Sequence, residues 1–167
     1  MSNSAGINLA QLDQYTVQPV LAAFGAPWNS PAAAILLLGT AIHESGGGAY
    51  LAQTGGGPAL GAWQMEPATH DDCWQNFLNY QPALAAAVRQ FQVQGAGSAQ
   101  MAWNLAYACA MARVKYIRAQ PPLPAANDFA AMAAYYKQFY NSDLGAAVLD
   151  QELVDCFALA AQTVGAG

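Results

Sequence analysis

Residues 30–45 read S-P-A-A-A-I-L-L-L-G-T-A-I-H-E-S, and residues 46–69 continue G-G-G-A-Y-L-A-Q-T-G-G-G-P-A-L-G-A-W-Q-M-E-P-A-T. Ser30 has a capping side chain and Pro31 suits the first helical position, so a helix opens there and runs over Ala32–Glu44. It is apolar along almost its whole length and ends on a carboxylate. Gly46–Gly48 and Gly55–Pro58 cannot sustain a helix, which leaves 49–54 as loop or short extended chain. Leu60–Met65 reads as a short strand. Pro67 then restarts a helix through Asp71 and Asp72, whose charge suits a helix N-terminus.

Outward from this stretch, helical signals dominate. Asn8 can cap a first helix through Leu9, Leu12, Tyr15 and Val20, with Pro19 forcing a kink or a break. Gln81-Pro82 opens a helix to about Gln92, and Gly95-Ala-Gly-Ser breaks it. Ser98 is the cap expected for the longest helix, to about Arg118. That helix is apolar nearly all round, the pattern of one buried at the centre of a fold. Pro121, Pro122 and Pro124 end it. Asn127 or Asp128 starts Phe129–Tyr140, and a last helix covers about Ala146–Gln162. Leu149, Leu153, Phe157 and Ala160 make one stripe, for the core or for a partner. With no internal repeat and no linker, 1–167 reads as one all-α domain with a small irregular or β-like element after the Glu44 helix.

The chain has 167 residues, 55% hydrophobic and 9% charged, with net charge −5. The usual charged fraction is about 25%. No apolar run reaches the roughly 20 residues of a membrane span, and no secretory signal is expected at the N-terminus. Five basic residues without a long run disfavour nucleic acid as a partner. So little surface charge implies that part of the exterior lies against other subunits, copies of this chain included. Cys73, Cys109 and Cys156, odd in number and unrelated in spacing, imply no disulfide framework and synthesis in a reducing compartment.

Glu44 is the leading chemical candidate. A carboxylic acid delivers a proton at neutral pH only when an apolar setting raises its pKa, and the helix before Glu44 supplies that setting. A glycosidase using two carboxylates would draw its second from Glu66, Asp71 or Asp72. His43-Glu44 lacks the second histidine of a zinc helix, because position 47 is glycine. A looser site from His43, His70 and Cys73 falls short in ligand pattern, so no metal and no other cofactor is expected. Cys73 lacks a nucleophile signature, and Cys109 lies in an apolar helix as inert core. The glycine triplets have no following Lys-Ser/Thr and form no phosphate loop.

Glu44-Ser45 at the end of an apolar helix, followed at 61–69 by G-x-x-Q-x-x-P-x-T, resembles the soluble lytic transglycosylase group of lysozyme-like proteins. The likeness covers about 30 residues well. It implies a lysozyme-like fold, with Glu44 as catalytic acid and Ser45, Trp63, Gln64 and Tyr135 as substrate-binding residues along a glycan groove. It also implies a one-carboxylate mechanism in which the muramic 6-hydroxyl attacks to give a 1,6-anhydro product. Ala134-Tyr135 match the family's Ala-Tyr-Asn-Ala-Gly. Tyr136 stands where that asparagine is usual, leaving Asn141 as a possible substitute one turn on.

Two functional expectations follow. One is an enzyme acting on the peptidoglycan glycan strand. With no expected export signal, this is a phage protein made in the host cytoplasm and carried in the virion, in the tail or head–tail region, beside other virion proteins. The other is a structural virion component on the same fold without catalysis, which the low charge density and the altered Tyr-Asn element favour.

Overall fold

In the computed structural model, residues 6–141 and 147–164 are described. Their architecture is all-α. The α-helices are α1 (Leu9–Leu12), α2 (Gln18–Phe24), α3 (Pro31–Ser45), α4 (Pro67–Asn76), α5 (Pro82–Arg89), α6 (Leu105–Ile117), α7 (Phe129–Tyr136) and α8 (Gln151–Val164). No sheet forms among the described residues. Extended pairing is limited to isolated antiparallel bridges, Ala52 with Leu60 and Leu60 with Met65.

The core is organised on α3. Every residue from Ala33 to Ala41 is buried, so this helix is enclosed on all sides. Its crossing with α8 depends on Gly39: a Cβ there would lie 2.3 Å from Cδ1 of Phe157. Leu153, Phe157 and Ala160 are buried against the core, while Leu149 stands exposed ahead of α8. On the other side, Thr40 Oγ1 donates to the Leu36 carbonyl at 2.7 Å. Its single proton is then committed, so the 2.7 Å contact with Tyr116 has the Tyr116 hydroxyl as donor. α6 is buried from Tyr107 to Val114, as its all-round apolar pattern requires.

Local caps set most boundaries. Asn8 accepts from Gln11 N–H, Ser30 from Ala33 N–H, and Asp128, rather than Asn127, from Ala131 N–H. Pro19 does not break its segment. The chain passes from α1 through a π-helical stretch, Asp13–Val17, into α2. The wider turn accommodates a proline that lacks an N–H and would crowd the preceding carbonyls of a regular α-helix.

Four sequence expectations are corrected. The long helix does not begin at Ser98. Residues Gly97–Ala102 form a 3-10 turn, and α6 starts after Asn104, which accepts from Tyr107 N–H and donates to the Phe91 carbonyl. Leu60–Met65 is not a strand but a tight turn, closed by reciprocal Leu60 and Met65 backbone hydrogen bonds of 3.0 Å. α7 ends at Tyr136 and continues as a π-helical turn, Lys137–Asn141. The last helix begins at Gln151, because Asp150 accepts from Leu153 N–H and caps it there. The expected start at Ala146 lies outside the described residues. No helix among the described residues is long and apolar enough to cross a membrane.

Candidate functional site

α3 ends because Gly46 takes the left-handed conformation, φ 61° and ψ 35°, and returns its N–H to the Ala41 and Ile42 carbonyls. Glu44 therefore sits in the last turn, half-buried, on the wall of a cleft of about 610 Å³. Tyr50, Gln64, Glu66, Lys115 and Asn141 share that wall. Tyr50 reaches back from the glycine-rich loop and donates to the Glu44 backbone carbonyl at 2.7 Å. That satisfies one of the carbonyls a helix end leaves without a partner.

Burial pushes the Glu44 carboxyl above its ordinary pKa. Its place at the negative end of the α3 dipole acts in the same direction. Two groups oppose this. The Tyr136 hydroxyl donates to Glu44 Oε1 at 2.6 Å, and the Lys115 charge favours the carboxylate. Tyr136 is fully buried, and burial followed by the Glu44 charge drives its own pKa far upward, so it stays a donor. The Asn141 amide hydrogen-bonds the Tyr136 hydroxyl, and its Oδ1 accepts from Lys137 Nζ at 2.9 Å. Lys115 donates to the Tyr140 carbonyl and stands 4.2 Å from the centroid of the Tyr140 ring. Burial lowers its pKa.

The sequence-predicted residues divide. Glu44 and Gln64 line the cleft. Gln64 is the one non-glycine residue among those described with positive φ, 45°, and its Nε2 donates to the Gly61 carbonyl at 2.8 Å. Ser45, Trp63 and Tyr135 are not on the cleft wall. Ser45 is fully buried, donating to the Ala62 carbonyl at 2.6 Å and accepting Gly48 N–H at 2.8 Å. It pins the 61–64 turn to the end of α3. Trp63 is 1% exposed, and its indole N–H donates to the Leu37 carbonyl at 2.8 Å, so its ring offers no face to a sugar. Tyr135 is buried, and its hydroxyl donates to the Pro121 carbonyl at 2.9 Å.

Of the candidate second carboxylates, Glu66 alone lines the cleft with Glu44. Asp72 pairs with Arg118 at 2.5 Å in an adjoining hollow. Asp71 holds Nδ1 of His70 at 2.8 Å. The other ring nitrogen of His70 meets the Tyr107 hydroxyl at 2.7 Å, so neither is open to a metal. His43 lies edge-on to Tyr136 instead, with ring centroids 5.2 Å apart. Among the described residues no group of three or more His, Cys, Asp or Glu is arranged to hold a metal ion. Burial raises the thiol pKa of Cys73 and of Cys109, leaving both as poor nucleophiles.

Sequence reasoning missed Tyr50 and Lys115, and noted Tyr136 only as standing where the family's asparagine is usual, without giving it a role at Glu44. Consecutive helical residues point about 100° apart, so only one of Tyr135 and Tyr136 can face Glu44. Nothing local says which. Comparison with protein-family models, with curated proteins and with solved structures returns no match. The fold and site together define an all-α protein with a protonatable carboxyl, clamped by a buried phenol, on the wall of an open cleft.

Proposed function

We propose that this chain is a lysozyme-like domain that cleaves the peptidoglycan glycan strand between N-acetylmuramic acid and N-acetylglucosamine, with Glu44 as general acid. The observation that carries the reading is the Glu44 carboxyl itself: half-buried, raised in pKa, held by Tyr136 and open to the cleft. Glu44 donates its proton to the glycosidic oxygen as the C1–O bond breaks. The muramic 6-hydroxyl then attacks C1, and its proton returns to the Glu44 carboxylate, leaving a 1,6-anhydro end. One carboxyl acts first as acid and then as base. Gln64 presents an amide on the wall, suited to N-acetyl groups.

We place the protein in a phage virion, in the tail or head–tail region, made in the host cytoplasm and bound to other virion proteins or to its own copies. The support is compositional: 9% charged residues, with Tyr15, Tyr80, Trp103 and Val148 exposed. The same features favour a second reading, a structural virion component without catalysis.

Digestion of purified peptidoglycan by the wild type and by Glu44→Gln separates the two. The expected result is loss of turbidity with the wild type alone, and release of muropeptides one water lighter than hydrated products. Hydrated products alone would mean lysozyme-type hydrolysis. Absence of release at every wild-type concentration would leave the structural reading.

A further inference from the structure

A second hollow, of about 670 Å³, opens at the other end of α3. Ala10, Pro31, Ala34 and Val164 give it apolar walls, and Gln14, Gln18, Asn29 and Thr163 line it with amides and a hydroxyl. Its lining has a single charged side chain, Asp13, which is 9% exposed. Asp13 opens the π-helical stretch, a distortion that recurs at binding sites. One carboxylate oxygen, Oδ1, accepts from Gln18 Nε2 at 3.0 Å. Among the described residues no basic side chain lines the hollow or forms an ion pair with Asp13. Arg113 directs its Nε and Nη2 to the Trp28 carbonyl instead.

Buried carboxylates are ordinarily paired with a cation or neutralised. A hollow of this size, mostly apolar with a few convergent polar groups and one displaced titratable residue, has the make-up of a ligand pocket. We infer that this pocket binds a primary ammonium group carried on an apolar stem, with Asp13 as its counter-ion.

The chemistry of the lining selects that class. A metal ion would need several oxygen ligands with more negative charge than one carboxylate provides. A guanidinium binds best across both carboxylate oxygens, and Gln18 already holds one. An ammonium needs a single strong acceptor, with the Gln14 and Asn29 amide oxygens available for its other protons. Ala10, Pro31, Ala34 and Val164 fit an alkyl stem. Of the first N–H groups of α3, Pro31 has none, Ala33 donates to Ser30 Oγ and Ala34 to the Ser30 carbonyl. Without a ligand, burial raises the pKa of Asp13 and the Gln18 hydrogen bond opposes the rise. An ammonium would draw it down.

The test is titration calorimetry at neutral pH with n-pentylamine, n-pentanol and Nα-acetyl-lysine methylamide, on the wild type, Asp13→Asn and Gln14→Trp. Circular dichroism verifies folding. The wild type should prefer pentylamine to pentanol by roughly tenfold or more, the weight of a buried charge pair. Asp13→Asn should erase that preference, and Gln14→Trp should reduce binding of both by filling the mouth. Tighter binding of pentylamine than of the lysyl amide marks small free amines as the source, and the reverse marks a lysine side chain of a partner. No binding of either amine at millimolar concentration, or unchanged amine affinity in Asp13→Asn, overturns the inference. This readout does not involve glycan cleavage and stands apart from the Glu44 reading.

Discussion

Glu44 and Asp13 mark opposite ends of one helix. Their pockets open about 20 Å apart along α3, and burial raises the pKa of both carboxyls. They differ in how they are held. Gln18, the partner of Asp13, is five residues away on the same winding segment. Tyr136, the partner of Glu44, comes from α7, ninety-two residues away. The Asp13–Gln18 bond is a local product of the chain, although Thr163 and Val164 bring α8 to the hollow around it. The Tyr136–Glu44 bond exists only once α7 has docked on α3, so changes in α7 packing should reach it and spare the Asp13–Gln18 bond.

The strongest way to sharpen this contrast is chemical. Glu44→Gln should lower muropeptide release by roughly 10²–10⁴-fold, the usual weight of general acid catalysis. Undiminished release would remove Glu44 from the reaction.

The next is mechanical. Gly39→Val forces atoms into the Phe157 ring and should destabilise the fold by about 1–3 kcal/mol in urea unfolding. Phe157 lies beside Tyr136, with ring centroids 6.0 Å apart, so the damage should spread to the Glu44 clamp. Wild-type stability would show that α8 yields there without strain.

Ser45→Ala acts at the cleft end alone. It leaves the buried Ala62 carbonyl and Gly48 N–H without their partner, at about 1–3 kcal/mol. A loss well below that would mean that water replaces the hydroxyl.

The smallest effects are in titration. A carboxyl raised above its unfolded value binds its proton more tightly when folded. The stability it contributes is therefore fully present below the unfolded pKa and lost as pH rises through the folded one. Glu44→Gln should accordingly raise the melting temperature at neutral pH, with the advantage vanishing as pH falls below 4.5, the ordinary Glu value. Tyr136→Phe removes a donor that favours the charged form, so carboxyl NMR should show Glu44 titrating higher still. Gln18→Ala should do the same to Asp13. A downward shift in either variant would break the account of what holds these groups.

What could be read from the sequence follows the same division between local and distant. The caps at Asn8, Ser30 and Asp128 act within three residues, and their chemistry is plain in the chain. So is the carboxylate ending an apolar helix before a glycine triplet. Ser98 misled because it lies inside a 3-10 turn that has no side-chain cap, and the bond that holds Asn104, the actual cap, runs to distant Phe91. Trp63 and Gln64 are neighbours in one turn, and only the fold sends the indole to Leu37 and the amide to the cleft. The bond of Tyr136 to Glu44 was hidden for the same reason, since a contact across ninety-two residues has no periodicity of its own.

The left-handed backbone at Gln64 has a consequence for the shape of the cleft. For a residue with a Cβ that conformation costs roughly 1–2 kcal/mol, which glycine would escape. The bond from Nε2 to Gly61 fixes the amide and leaves Oε1 as its free acceptor. The cleft lip is thus a stiff, chirally strained bracket. A glycine at 64 would relax the backbone and take this fixed amide off the rim.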